Sequence, residues 1–411
     1  HQVNISKELM VTDLSVVNSD LATRADGAWT FGRLFRDLSP TDATAKAMLL
    51  DWLRSWETDQ SVNGDTAAAR PNIRQIVINP WKARDNQPNA TDAAWIVNWN
   101  HAPFRLLAIV NRLDLRDTTD SADTMDATVR NAGEGRFVFC LIDAGSTQGQ
   151  FNLAGAPQPF TVIFEYEQLA GNRAELLEWA NRWHALGGMG FGAAYNMELK
   201  KITDSFAGRN VASGLARKPG GSALNQLRTN EIPLRFPVWE LREFTLVGNP
   251  VTLRPATVKL TPRDSLDNTP ELTNFVTTNA GILTQPGGFS IDSIPEGAAM
   301  IGVASQIAPP APIPNPTTFF TWNAPGLPNS LNEARHALAF QTCNGCHHAE
   351  TAVSAEFDPN GVGLGFVHVA PRARGEEAAL SGFLKGVNAP DPLLGADPAN
   401  GGKLRRFNDL E

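Results

Sequence analysis

GRFVFCLID, residues Gly135–Asp143, is bounded by Gly and Asp and made mostly of aromatic and aliphatic side chains. That composition reads as a strand. Phe137, Phe139 and Leu141 share one face and leave Cys140 on the other, although a run buried on both sides fits the same residues. RQIVINP (Arg74–Pro80), FRLLAIVNRLDL (Phe104–Leu115), FTVIFEYEQ (Phe160–Gln168) and VWELREFTLV (Val238–Val247) share this character and also read as strands.

Working outward, the flanking segments change period. TAKAMLLDWLRSWETDQ (Thr44–Gln60) places Met48, Leu49, Trp52, Leu53 and Trp56 at spacings of three and four, one face of a helix. RAELLEWANRWHALG, from Arg173, puts Leu176, Leu177, Ala180, Trp183 and His184 on one stripe and ends at Gly187. NMELKKITDSFAGR (Asn196–Arg209) is a second amphipathic helix closing at Gly208, and GSALNQLRTNEI (Gly221–Ile232) opens on Ser222, a good helix N-cap. Helices and strands in this mixture, with no repeat at solenoid periods, predict an α+β fold for the first three hundred residues.

The chain of 411 residues is 42% hydrophobic and 19% charged, with 28 Pro, 34 Gly and a net charge of −8. No basic stripe is present, so nucleic acid is excluded as the expected partner. No apolar run approaches the ~18 residues of a membrane span. Ten Trp against two Tyr points to core packing before it points to a ligand platform.

Composition shifts sharply at Ala308–Ser330, where seven of 23 residues are proline. Proline at that density blocks helix and sheet ladder alike. The shift predicts a large domain over residues 1–307, a Pro-rich linker over 308–328, and a small helical unit over 329–411. The small unit begins with Ser330 and Glu333, the pattern of a capping box, and continues through LNEARHALAFQ with Leu331, Ala334, Ala337 and Leu338 on one face.

That helix runs into QTCNGCHHAE (Gln341–Glu350). Three Cys and seven His placed at random in 411 residues would give roughly 4 × 10⁻⁴ C-x-x-C-H matches, so chance does not explain the motif. Two thiols three residues apart followed by imidazoles suit three chemistries. A Cys343–Cys346 disulfide or redox pair needs no cofactor. Zinc takes Cys343, Cys346, one of His347 and His348, and His368 as four ligands. The third is covalent haem.

A capped helix ending in an aromatic, a short polar step and then C-x-x-C-H resembles the opening of a c-type cytochrome domain. The resemblance covers about sixty residues, and RGEEAALSGFLKG (Arg374–Gly386) resembles the closing helix that packs on the first through Leu380, Phe383 and Leu384. It implies haem c bound through Cys343 and Cys346, with His347 as the proximal iron ligand. All six Met lie at or before Met300, so the usual downstream methionine ligand is missing and the distal side falls to His368, to His336 or to no residue. The implied protein is periplasmic or secreted and carries one haem for electron transfer or peroxidase- or oxidase-like chemistry, with a redox protein as its partner. The contrasting expectation is a secreted binding or structural protein whose C-x-x-C-H-H segment is stapled by disulfide or zinc.

Elsewhere the residues read as structural. His101 and His184 cap or pack, Cys140 is a buried hydrophobe in a strand, and the pairs Asp114/Asp117 and Glu165/Glu167 suit acid–base work but are also what turns and solvated faces routinely produce. No G-x-S-x-G, P-loop, G-x-G-x-x-G or H-E-x-x-H occurs.

Overall fold

The computed structural model describes residues 3–118, 129–143, 155–231, 240–259, 261–284, 297–302, 322–343, 367–381 and 384. Its strands are β1 (Met10–Val11), β2 (Gln60–Val62), β3 (Asp65–Ala67), β4 (Phe104–Arg112), β5 (Asp117–Thr118), β6 (Val129–Ile142), β7 (Pro157–Leu169), β8 (Leu224–Glu231), β9 (Glu240–Val247), β10 (Thr252–Ala256) and β11 (Ile301–Gly302). Its α-helices are α1 (Leu14–Val17), α2 (Asp20–Thr23), α3 (Phe31–Asp37), α4 (Asp42–Arg54), α5 (Asn79–Arg84), α6 (Arg173–Gly187), α7 (Ala193–Ala207), α8 (Pro270–Leu283) and α9 (Asn332–Gln341). The fold is α+β. One antiparallel sheet runs in the order β1-β4-β6-β7-β8-β9-β10, with β5 on β6 and β11 on β9. The hairpin β2-β3 stands apart, turned by Asn63-Gly64, both at positive φ, as a two-residue hairpin loop requires.

Strand alternation divides the sheet into two faces. On the first, Phe137, Phe139 and Leu141 of β6 join Phe160, Val162, Phe164 and Tyr166 of β7 in the main core, which helices α3, α4, α6 and α7 close. Phe31 stacks on Phe104 with ring centroids 4.1 Å apart and meets Phe139 and Phe164 edge-on. Trp52 and Trp56 close on Phe244. Trp29, Trp52, Trp56, Trp81, Trp95, Trp183 and Trp322 are fully buried, as expected of packing tryptophans. Indole N–H groups of six donate, to Thr203, Glu231, Asn98, Asp85, Gln168 and Thr342. Gly135 lets α7 close on β6, since a Cβ there would lie 2.3 Å from the Phe206 ring.

The second face is also buried. Val138, Cys140 and Ile142 of β6 and Leu107, Ala108 and Val110 of β4 pack with Met10 against Val369 and Ala378, from far along the chain. The two-sided reading of GRFVFCLID is the one realised. Burial pushes the Cys140 thiol up to about 11.

Four local expectations change. RQIVINP is helical, a π turn at Arg74–Ile78 leading into α5. The apolar positions taken from Ile73 onward, namely Ile73, Val77, Ile78 and Trp81, fall on one helical side, and Pro80 lies in the first turn of α5 where its missing N–H costs nothing. GSALNQLRTNEI is strand β8, not a helix begun at Ser222. Its second-face residues Gln226, Arg228 and Asn230 are matched by charge and hydrogen bonds, and Thr229 and Glu231 on the first face are polar as well, which erases the apolar alternation a strand usually shows. In α6 the buried stripe is Leu176, Trp179, Trp183 and Leu186, while Leu177 is exposed. The helix at 44–60 ends earlier, in α4 and a 3-10 turn at Ser55–Glu57.

Beside Trp56, on the first face, lies a fully buried ion network. Arg242 Nε sits 2.7 Å from Glu231 Oε1, and Arg70 holds Glu240 with two bonds of 2.8 and 2.6 Å. Trp56 Nε1 and Thr229 Oγ1 also donate to Glu231. Burial outweighs the Arg242 charge and pushes the Glu231 carboxyl up to about 7 from 4.5. Between those two values the folded chain binds more protons at this group than the unfolded chain, so its contribution to stability is present below 4.5 and lost as pH rises through about 7. Urea titrations should show the wild type losing stability relative to Glu231→Gln across that window, by roughly 3 kcal/mol at most. Parallel pH profiles would contradict this account.

Candidate cofactor site on the second face of the sheet

Helix α9 carries the first thiol of the motif to the sheet. Ser330 lies in a 3-10 turn at Asn329–Leu331 and α9 starts at Asn332 with Leu331 as its N-cap residue, which makes no side-chain cap bond. The capping box is therefore absent, because the preceding turn occupies the residues that would form it. Along α9 Ala334, Ala337, Leu338 and Ala339 are buried against Leu272, Val276 and Leu283 of α8 and against Trp322. Contacts thus run across residue 308, from a helix before the Pro-rich stretch to one after it. Of that stretch, 308–321 lies outside the described residues.

The end of α9 is held firmly. Thr342 N donates back to Leu338 O at 3.2 Å, and Thr342 Oγ1 donates to Ala339 O at 3.0 Å. Trp322 Nε1 donates to Thr342 Oγ1 at 2.8 Å, and Arg335 Nη1 donates to Trp322 O at 3.2 Å. Thr342 and Trp322 are fully buried. Cys343 follows directly. It is half-buried and packs on a small apolar cluster of Leu241, Val258 and Val367.

Leu241 shares its sheet face with Glu243, two residues on, so Cys343 sits beside a layer of buried charge. Arg228 Nε lies 3.0 Å from Glu243 Oε2, which also accepts from Lys259 N at 3.1 Å. Arg136 binds Glu134 at 2.6 Å and Glu165 at 3.1 Å, and Gln226 donates to both carboxylates. Burial works against the Arg228 charge, yet Glu165, Glu243, Cys343 and Glu134 hold its guanidinium well above the ordinary arginine value. Burial likewise works to raise Glu134, but Arg136 and Asn225 bring it down to about 2. Glu243 is raised by its burial.

Of the residues the sequence singles out, Cys343 and the neighbourhood of His368 meet here, since Val367 belongs to the cluster that receives Cys343. His368 Nδ1 lies 3.3 Å from Ser381 Oγ. His336 is buried on α9. Cys346, His347 and His348 lie outside the described residues. The closing helix expected at Arg374–Gly386 is replaced over 374–381 by turns and a β-bridge between Val369 and Leu380, because Ala378 and Leu380 cover the sheet and do not pack on α9. The other candidates are structural. His101 Nδ1 pairs with Asp85 and His184 Nδ1 with Glu8, each at 2.8 Å. Asp114 is held by Arg112 and Asp117 faces Arg130. Glu165 and Glu167 belong to the buried charge layer, Glu167 through Arg217 and Lys218.

Among the described residues no helix is long and apolar enough to cross a membrane, and no group of three or more His, Cys, Asp and Glu is gathered for a metal. Set against protein-family models, curated proteins and solved structures, the chain has no match. Sequence reasoning missed the Trp322–Thr342 bond and the Arg228–Glu243 pair beside Cys343. Only Trp322, an indole within a Pro-rich run, offered any signal.

Thr342→Val keeps the side-chain shape and leaves the buried indole N–H of Trp322 without its acceptor, at a cost of about 1–3 kcal/mol. Amide hydrogen exchange along α9 should speed up accordingly. Unchanged protection there would show that the bond does not hold the base of the motif.

Proposed function

We propose that this is a redox protein with one haem attached covalently through Cys343 and Cys346 and ligated on its proximal side by His347. The observation that carries the reading is C-x-x-C-H placed immediately after the anchored end of α9. The donor set fits the group: two thiols for thioether bonds and an imidazole for iron. The setting fits as well, because Leu241, Val258 and Val367 offer an apolar wall beside Cys343, and an apolar surround controls solvent access and potential at such centres. Residues 329–411 then form a small cytochrome-like unit that leans on the large sheet and does not stand alone.

His368, adjacent to Val367, is the residue that would offer the iron a second imidazole. Methionine is disfavoured: Met300 is 1% exposed and packed with Ala67 and Ala299. Haem held in this way supplies one-electron iron chemistry. The chain's own contribution is to hold the thiols at a fixed helix end, wall off one side with the sheet, and present an imidazole from the segment that begins at Val367. Electron exchange with a partner redox protein is the primary activity, with peroxidase- or oxidase-like chemistry where the distal position opens. Thioether attachment places the protein in the periplasm or outside the cell.

Protein made in a host with c-type maturation should be red and keep its haem through acid–acetone extraction, and Cys343→Ser with Cys346→Ser should abolish retention. A colourless product, or haem that extracts freely, would overturn the proposal in favour of a disulfide or zinc staple. The ferric spectrum should lack the far-red band that marks histidine–methionine ligation. His368→Ala should turn a low-spin spectrum high-spin and admit carbon monoxide, whereas an unaltered spectrum would remove His368 from the iron.

A further inference from the structure

We infer that residues 367–381 are a detachable strap, fastened by Arg372, that seals the second face of the sheet. The strap is a short loop closed on itself. Val369 pairs with Leu380 in a single antiparallel bridge, Ala370 N donates to Ala379 O at 2.8 Å, and Ser381 N donates to His368 O at 3.0 Å. It contributes only Val369 and Ala378 to the buried cluster beneath it, with Leu380 partly buried at its margin. So little apolar area leaves the attachment to polar contacts.

Those contacts converge on one guanidinium. Arg372 is 2% exposed. Its Nη1 donates to Ala373, Arg374 and Glu376 carbonyls at 3.0–3.2 Å, which shapes the loop from within. Its Nη2 donates outward to Leu106 O at 2.9 Å, Asn18 Oδ1 at 2.8 Å and Val17 O at 3.4 Å. The outward acceptors are groups that regular structure leaves over. Val17 ends α1, where carbonyls lack helical partners. Leu106 stands at the register shift between Leu106 and Ala108, where the ladder with β6 is broken. Arg372 thus caps a helix end and a bulge together. Arg105 Nη1 donates to Arg372 O and Asn18 Nδ2 to Arg374 O, completing the fastening.

A buried guanidinium bonded to carbonyls and an amide, and not to a carboxylate, holds by the number of its bonds. Burial first, and then the Arg105 charge, push it down to about 10. Removal of its head therefore releases several contacts at once while leaving the first-face core untouched. Beneath the strap lies Cys140, fully buried, with the Arg372 backbone in hydrogen-bonding reach of its sulfur. Its thiol reports whether the strap is seated. Because Val367 also carries the strap to the cluster that receives Cys343, seating sets the position of His368. The strap itself stands whether or not the motif carries haem.

The test labels the full-length chain with a small thiol reagent under native conditions and maps the modified peptide by mass. Arg372→Ala should label at Cys140 at least about tenfold faster than wild type, with its far-UV circular dichroism retained. Asn18→Ala should fall between the two. In the unaltered protein, hydrogen exchange at Ala370 and Ser381 should proceed through an opening that leaves the β6–β7 amides protected. Labelling at the wild-type rate in Arg372→Ala, collapse of the sheet in that variant, or strap amides that exchange only with global unfolding would each overturn the inference.

Discussion

The structure depends on one constraint: an interior strand, β6, is buried on both sides. A strand with one wet face needs a single layer of helices, and α3, α4, α6 and α7 supply it. A strand that carries Val138, Cys140 and Ile142 on its other face needs a second cover. Among the described residues of the first three hundred, no α-helix covers it, and only Leu9 of a short helical turn packs at its edge. The cover comes from Val369 and Ala378, more than two hundred residues later, so the last part of the described chain is bound into the fold of the first.

Across the second face the character changes from apolar under the strap to ionic under β7, β8 and β9. Burying Glu134, Glu165 and Glu243 with Arg136 and Arg228 costs desolvation that their mutual attraction only partly offsets. An apolar layer of similar volume would be as stable or more so. Local departures of this kind gather at functional sites, and here the layer borders the apolar cluster that receives Cys343. The same low-dielectric setting that makes the ion pairs expensive also magnifies the effect of any charge placed on the adjoining thiol.

The motif is held from two directions in the chain. Helix α8 precedes the Pro-rich stretch and supplies the surface on which α9 rests, while Trp322 within that stretch fastens the last turn of α9 through Thr342. A composition boundary therefore does not mark the end of contact. On its far side, α9 and residues 367–381 both pack against elements that precede it.

By itself, the sequence determined what depends on local pattern. The strands at Phe104, Gly135, Phe160 and Val238, the helices at Thr44, Arg173 and Asn196, the α+β class and the tryptophan core were legible because each buries an apolar face whose period is written in neighbouring residues. The spacing Cys343, Cys346, His347 was legible for the same reason, since haem attachment, a zinc site and a disulfide all draw on residues close in sequence. Tertiary structure alone decided the rest. Strand β8 reads as polar because residues on both its faces pair with charges on neighbouring strands, and RQIVINP reads as a strand until Ile73 and Trp81 are counted with it. The placement of Cys343 on Leu241 and the fastening of residues 367–381 by Arg372 rest on acceptors and surfaces hundreds of residues away, where no sequence period reaches.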